Sequence, residues 1–354
     1  MAYDPLLTTG LVEVHASYRE EKPVSMFLRD FFFGNAPVIS KFPYVTIETL
    51  RDGRKISVAI RRGANPLEVL AVDAHKRHIY VPPYFSEKAS VTAEDLSTLS
   101  FNEKAEAPLT GSAKALLILA EKRQNIEKRF QLTEEKMCAD ILLNSEVSMV
   151  DGSKIVYGND ATLIGELPSN DWDDTTGVNI LADLKTWGLR VFEKSGVMPN
   201  SIVVAPDVHE YMISDAGVQK VLDTRNYAFG EMRVQQLAKY PGVTYGGRIA
   251  VPGCGMMDIY TYAESYDNNG SAAALLPTGS LIMANTNNMG RILYAATEGP
   301  VDGVPAYIPG ARSVFVDREN KIPPKTSVIV QMAPLPCPIS LDTWLSANIL
   351  TAAG

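Results

Sequence analysis

The sequence predicts an α+β fold built around one long helix. Three observations point to it. Ser112 to Met149 contains neither glycine nor proline, the longest such run in the chain. Alternating segments that read as hairpins flank that run on both sides. Residues 177–298 then alternate strand and helix patterns in the manner of a compact α/β block.

The helix has clear limits. Pro108, Thr110 and Gly111 stop what precedes it, and Asp151-Gly152 supplies turn chemistry after it. Leu116, Leu119, Ile126, Phe130, Met137 and Ile141 recur at helical spacings and form one apolar stripe. About 35 residues at a rise of 1.5 Å span roughly 50 Å, more than a compact core needs. Arg123 and Thr133 interrupt the stripe, and Leu116-Leu117-Ile118-Leu119 is apolar all round. A strut lying on a sheet fits this pattern better than a two-stranded coiled coil.

Residues 1–22 are mixed and read as an arm. Pro23 opens a short helical segment, Met26 to Phe33, closed by Gly34-Asn35. Its phenylalanines, Phe27 and Phe31 among them, occupy more than one face. Packing in a core and docking on a partner both fit them. Val45 to Leu50 and Lys55 to Ile60 alternate around Arg51-Asp52-Gly53-Arg54, a hairpin with an Asp-Gly turn. A loop at Arg61 to Pro66 and a strand at His75 to Val81 follow, ended by Pro82-Pro83. The hairpin has too few large apolar residues to stand alone, so it is expected to project onto another chain.

Beyond the helix, Glu146 to Val150 and Lys154 to Tyr157 form a second hairpin pattern, and residues 158–176 are a polar loop. Helices are expected at Val178 to Lys194, Asp207 to Ile213, Gly217 to Leu222 and Met232 to Tyr240. Strands are expected at Ser201 to Ala205, Arg248 to Val251, Met257 to Tyr262, Leu281 to Met283, Arg291 to Ala295, Arg312 to Asp317 and Ser327 to Met332. Residues 264–272 read as a soft loop. Neither internal repeats nor low-complexity tracts occur.

Composition narrows the function classes. The 354 residues carry a net charge of −8, which argues against a protein whose main task is gripping nucleic acid, though not against enclosing it. Cys138, Cys254 and Cys337 are isolated and suggest neither a disulfide framework nor a thiolate metal site, so a reducing compartment fits. The N-terminus lacks the basic and apolar regions of a signal peptide, and no apolar run is long enough to span a membrane.

Motifs with chemistry are scarce. Asp171-Trp172-Asp173-Asp174-Thr175-Thr176-Gly177 opens like a calcium loop, but Thr176 and Ala182 stand where that loop wants Gly and Glu. A solvated loop with a helix N-cap fits better. Asp207 and Glu210 read as a capping box rather than an acid–base pair. The histidines, His15, His75, His78 and His209, form no ligand pair. No nucleophile elbow, Walker loop or dinucleotide fingerprint is present. No catalytic, cofactor-binding or metal-binding residue is therefore assigned.

The order of elements resembles the major capsid protein of tailed bacteriophages, and within that group the lambda capsid protein E family. The residues that carry this are Phe27-Leu28-Arg29-Asp30-Phe31-Phe32, Ile202-Val203-Val204 with Pro206, and Leu222-Asp223-Thr224-Arg225. Leu237, Tyr245, Leu276-Pro277, Asn285-Thr286 and Gln331 to Pro336 follow in order over nearly the whole chain. The resemblance implies the Hong Kong-97-type phage capsid fold. Residues 1–35 would be the N-arm and 36–90 the extended E-loop hairpin with flanking strands. Residues 91–176 and 299–354 would form the peripheral domain with its spine helix 112–149, and 177–298 the α/β axial domain.

The implied function is a shell of hexamers and pentamers enclosing double-stranded DNA in a virion, assembled in the host cytoplasm. Phe27, Phe31, Arg51, Arg54, Asp223 and Arg225 are the expected assembly contacts. Arg225 either holds the loop 223–231 near a capsomer axis or is an exposed arginine. The sequence begins only 22 residues before Pro23, so assembly guidance is expected from a separate scaffolding protein, with portal and decoration proteins as further partners. Lys41, Lys55 and Lys76 are available for the lysine–asparagine cross-link of some relatives, but nothing in the sequence brings one to an asparagine. An encapsulin-like compartment, a minor structural protein, and an enzyme on the 177–298 block are the alternatives.

Overall fold

The computed structural model describes residues 23–49, 76–97, 111–148, 152–174, 177–223, 235–268, 270–287, 289–301, 303–319 and 325–350. Helix α1, Phe27–Phe32, ends where the Phe33 N–H donates to Arg29 O at 2.8 Å. Strand β1, Asn35–Ile39, follows. Strands β2, Val45–Thr49, and β3, Lys76–Tyr80, pair antiparallel from Val45↔Tyr80 to Thr49↔Lys76. The tight hairpin expected at 45–60 has its turn and return strand outside the described residues, and in the described part β2 pairs with β3.

Strand β4, Phe85–Val91, leads into the short helix α2, Ala93–Ser97. Thr92 N–H donates to Asp95 Oδ2 at 3.0 Å and Asp95 N–H to Thr92 Oγ1 at 3.3 Å, a reciprocal cap. Helix α3, Gly111–Asn144, is the 34-residue spine. It stops before the expected Met149. Ser145 adopts φ 55°, and β5, Glu146–Ser148, pairs with β6, Lys154–Val156. Freedom from glycine and proline permits a helix but does not enforce one. The buried cross-strand pair Val147↔Ile155 takes the end of the run into a sheet.

The spine lies on a sheet, as its patchy stripe predicts. Ile118, Leu119, Ile126 and Phe130 pack on Val91, Val328, Val330 and Met332, while Met137, Cys138, Ile141 and Leu142 enter the main core. Leu116 is the exception, 65% exposed.

A 3-10 turn at Ala161–Leu163 precedes helix α4, Ile180–Ser195. The Asn179 side chain caps α4 by accepting the Ala182 N–H at 3.1 Å, and Gly196 ends it in the left-handed region at φ 75°. Its buried face is Ile180, Leu184, Trp187 and Val191. Strand β7, Ser201–Val204, is buried throughout and feeds helices α5, Pro206–Ser214, and α6, Ala216–Asp223. Asp207 does not close a capping box. Its Oδ2 accepts the Gly279 N–H at 2.7 Å across the fold.

Strand β8, Gln235–Gln236, pairs with β9, Val243–Val251, where a helix was expected over 232–240. The edge of β9 takes this segment as a partner, and Gly242, at φ 78°, makes the turn between them. Strand β10, Gly255–Tyr262, follows. The segment read as a soft loop is a second correction: β11, Ser265–Asn268, and β12, Ser271–Ala274, form a hairpin. Its turn is Gly270 at φ 91°, whose N–H donates to Asp267 Oδ1 at 2.6 Å.

Strands β13, Ser280–Ala284, and β14, Gly290–Tyr294, precede a hairpin of β15, Thr297–Val301, and β16, Val304–Ile308. The chain closes with β17, Ser313–Glu319, β18, Lys325–Met332, β19, Pro334–Pro338, and β20, Trp344–Asn348. The central six-stranded sheet runs β20-β13-β7-β10-β9-β8, with β7 parallel to β10. Trp344–Asn348, grouped by sequence with residues 299–354, thus forms an edge of this central sheet. The spine rests on the sheet β17-β18-β4, and β1-β14-β19 joins the arm to the body.

Candidate assembly site at the junction of arm and spine

Thr133-Glu134-Glu135-Lys136 reads as an ordinary polar stretch of helix. In the fold, both glutamates are fully buried at the level where arm, spine and two sheets meet. Burying a carboxylate is costly unless it is paired or hydrogen-bonded, so each must find partners. Glu134 Oε1 accepts from Arg312 Nη1 at 2.8 Å and from the Tyr294 hydroxyl at 2.9 Å. Its Oε2 lies 3.5 Å from Arg29 Nη1.

Glu135 turns to the arm. Oε1 accepts the Leu28 N–H at 2.7 Å and the Tyr262 hydroxyl at 2.9 Å, and Oε2 accepts the Arg29 N–H at 3.0 Å. The two amide donors belong to the first turn of α1, where no intrahelical acceptor exists for them. Burial pushes the Glu135 carboxyl up to about 7, against the opposing pull of these three donors. Burial and the neighbouring Glu135 likewise raise the Tyr262 phenol far above its ordinary range.

An aromatic seat surrounds this clasp. Phe27 is 1% exposed and stacks on Phe31 at 4.8 Å between ring centroids. Tyr240, Tyr260 and Tyr262 lie within 5.4–6.1 Å of Phe27. At the rim, Lys239 Nζ and the Tyr240 hydroxyl each reach Asp30 Oδ2 at 3.1 Å. The Phe27 side chain is therefore spent within its own subunit, and Phe31 is half-buried beside it. Asp223 ends α6, while Arg51, Arg54 and Arg225 lie outside the described residues.

Sequence reasoning missed Glu134, Glu135, Arg312, Tyr262 and Tyr294. No local signal marks them, because their partners are more than 100 positions apart for every contact to the glutamates except those within the spine.

Two apolar surfaces stay open. Near the base of the β2–β3 ribbon, Phe42, Ile79 and Val81 are exposed, Ile79 by 63%. The spine covers β4 and β18 but not the edge strand β17. Val314 and Val316 pair with Val330 and Val328, so they share the spine-facing side of the sheet. With Leu116 and Ala120 they line an open groove. Among the described residues no helix is long and apolar enough to cross a membrane.

Comparison with known proteins fits this architecture. The family model described as phage major capsid protein E matches residues 11–349. A protein assigned as the capsid protein of a prophage of E. coli CFT073 superposes with a TM-score of 0.65 at 14% identity, covering 97% of this chain and 99% of that one. The mature capsid of bacteriophage PhiM1 gives a TM-score of 0.53 at 10% identity, covering 96% and 91%. The capsid of the native GTA particle gives 0.51 at 10% identity, covering 94% and 93%. No match was found among curated proteins. With a family match over nearly its whole length and the Hong Kong-97-type fold, the chain belongs to the phage major capsid protein E family and is a shell-forming structural protein of the virion.

Proposed function

We propose that this chain builds hexamers and pentamers of an icosahedral head that encloses double-stranded DNA, and that it has no enzymatic activity. The observation that carries this reading is the β2–β3 ribbon, at whose base Phe42, Ile79 and Val81 are exposed. Val45, Ile47 and Tyr80 seat the ribbon on the main core, and the apolar groups left exposed beside them are covered by neighbouring subunits. In this reading residues 1–35 are the arm and 36–90 the E-loop with its flanking strands. Residues 91–176 and 299–354 form the peripheral part, apart from β20, which closes the edge of the six-stranded sheet, and 177–298 form the axial part.

Assembly takes place in the host cytoplasm with a scaffolding protein, a portal and a decoration protein. The acidic balance repels the enclosed DNA instead of binding it in a sequence-specific way. Arg51 and Arg54 pair with acidic groups of a neighbouring subunit. Arg225, following Asp223, holds the loop 223–231 near the capsomer axis.

Electron microscopy of the purified chain, alone and with its scaffolding partner, tests the reading. Capsomers or closed shells are expected, and light scattering should rise with protein and with salt, which screens like charges between subunits. Deleting residues 50–56 should leave a folded subunit that fails to close shells. Arg225→Ala should reduce capsomer formation more than monomer stability. A chain that stays monomeric at high concentration with and without its partners, and that turns over small substrates, would hand the case to an enzyme on the 177–298 block.

A further inference from the structure

The clasp on α1 has an unusual chemical make-up. The arm helix is held to the spine by the two free amides of its own first turn, Leu28 N–H and Arg29 N–H, both delivered to one buried carboxyl group. A third donor, the Tyr262 hydroxyl, comes from the axial sheet. Removing α1 would take away two of the three donors and the aromatic cover, and would open Glu135 to water. The group thus has two different environments, one with the arm seated and one with it released.

We propose that seating of the arm helix on the spine is proton-linked through Glu135, the seated arm taking up one proton that the released arm does not hold. The point of uptake is Oε2. Oε1 already accepts from both Leu28 N–H and the Tyr262 hydroxyl, while Oε2 accepts only the Arg29 N–H.

The charged and titratable surroundings favour this direction. On the spine itself, Glu134 is the adjacent residue and carries its own partners, Arg312 and Arg29. Cys138, one turn along, is a buried thiol pushed up by burial and by both carboxylates, and it carries no compensating charge. From α1, the Asp30 carboxylate adds a negative field that raises Glu135 further. The Arg29 guanidinium is directed to Glu134 instead. From β10 comes the Tyr262 phenol, and beyond it Glu264, also raised by burial. No cation contacts Glu135 among the described residues, so burial sets the balance and the seated carboxyl titrates near 7.

The sign follows from linkage. The seated state binds the proton more tightly than the released state, whose carboxyl returns to its ordinary range near 4.3. Acidification from pH 8 to about 5.5 therefore tightens the arm on the spine, and alkaline pH loosens it. Over that interval the ratio of seated to released arm should change on the order of tenfold. This holds for the free subunit, whether or not it goes on to build a shell.

Hydrogen exchange on the full-length unassembled chain tests it, read as protection factors corrected for the intrinsic pH dependence of exchange. The peptide covering residues 23–33 should lose about tenfold protection between pH 5.5 and pH 8, while β7 and β13 keep theirs. Glu135→Gln removes the titrating charge and one of the two acceptor oxygens, so whatever the level of its protection at residues 23–33, that level should be the same at both pH values, with no slope. Asp30→Asn is an exposed change that also weakens the rim contacts to Lys239 and Tyr240, so it should lower protection of residues 23–33 at both pH values. It removes the field that raises Glu135 and should move the midpoint of the transition to lower pH. A flat wild-type profile, a slope retained in Glu135→Gln, or an unmoved midpoint in Asp30→Asn would each overturn the proposal.

Discussion

Arg312 and Glu134 meet at 2.8 Å, binding the residue just before β17 to the middle of the spine helix. The glutamate is fully buried and the arginine mostly so. Arg312 also lies over the rings of Phe130 and Tyr294, at 5.7 and 6.0 Å from their centroids. Taking away one partner leaves a buried charge uncompensated, which typically costs about 3–5 kcal/mol. Arg312→Ala is expected to lower stability by about 3 kcal/mol, since Arg29 remains nearby. In urea titration, the double variant Arg312→Met with Glu134→Gln should lose less than the sum of the two single changes.

Ile126 is buried in the stripe of the spine against the β17-β18-β4 sheet. Ile126→Pro removes one backbone hydrogen bond and clashes with the preceding turn, costing about 3 kcal/mol or more. The expected outcome is aggregation or loss of soluble chain on expression, measured against Ile126→Val, which should cost about 1 kcal/mol.

Gly290 opens β14 directly beneath the end of the arm helix. A Cβ there would clash with the Phe33 ring and lie 3.0 Å from Cys337 O. Gly290→Ala must displace Phe33 or the strand, at a cost of about 1–3 kcal/mol. Limited trypsin digestion should show faster cleavage after Arg29 than in the wild type, because the displaced Phe33 follows directly on the helix that carries Arg29.

Asp160 supplies an acid-side dependence. Lys194 Nζ lies 2.7 Å from its Oδ2, and the Thr162 N–H and hydroxyl both donate to Oδ1. The lysine first, then the threonine, holds its carboxyl well below the usual carboxylate range. A depressed folded value means stability is present above the unfolded value near 3.9 and is lost as pH falls below it. Asp160→Asn should flatten thermal stability against pH between about 4 and 2 relative to the wild type.

How much of this was legible depends on whether the cause was local. The spine helix, α4, the strand β7 with its Ile202-Val203-Val204 run and the β5–β6 hairpin all follow from residues near one another in sequence. The end of the spine was overrun because the stretch free of glycine and proline continues past Asn144 into β5, so the helix and hairpin patterns overlap there. Residues 235–240 were misread because the edge of β9, not local propensity, places β8. The resemblance carried by Phe27 to Phe32 pointed to the right family. The physical anchor of that segment stayed hidden, since Glu134 and Glu135 look like solvated helix positions until Tyr262, Tyr294 and Arg312 are brought to them.

The dispersed seat of α1 also sets an order of events in folding. Its contacts come from Glu135, Tyr240, Tyr260 and Tyr262, each more than 100 residues from the helix. Contacts of such separation form late, after the loop-closure entropy has been met by other elements. The arm should therefore reach its seat only once the spine and the central six-stranded sheet exist. Trp172, Trp187 and Trp344 all lie buried in the main core; Trp172 donates to Asp183 and stacks on Trp187, and Trp344 donates to Leu142 O, partners that belong to the body and not to α1. In a stopped-flow experiment, tryptophan emission should reach its native value before the Phe27–Tyr240 contact closes. The interval between the two is a period in which the subunit has a finished body and an uncommitted arm.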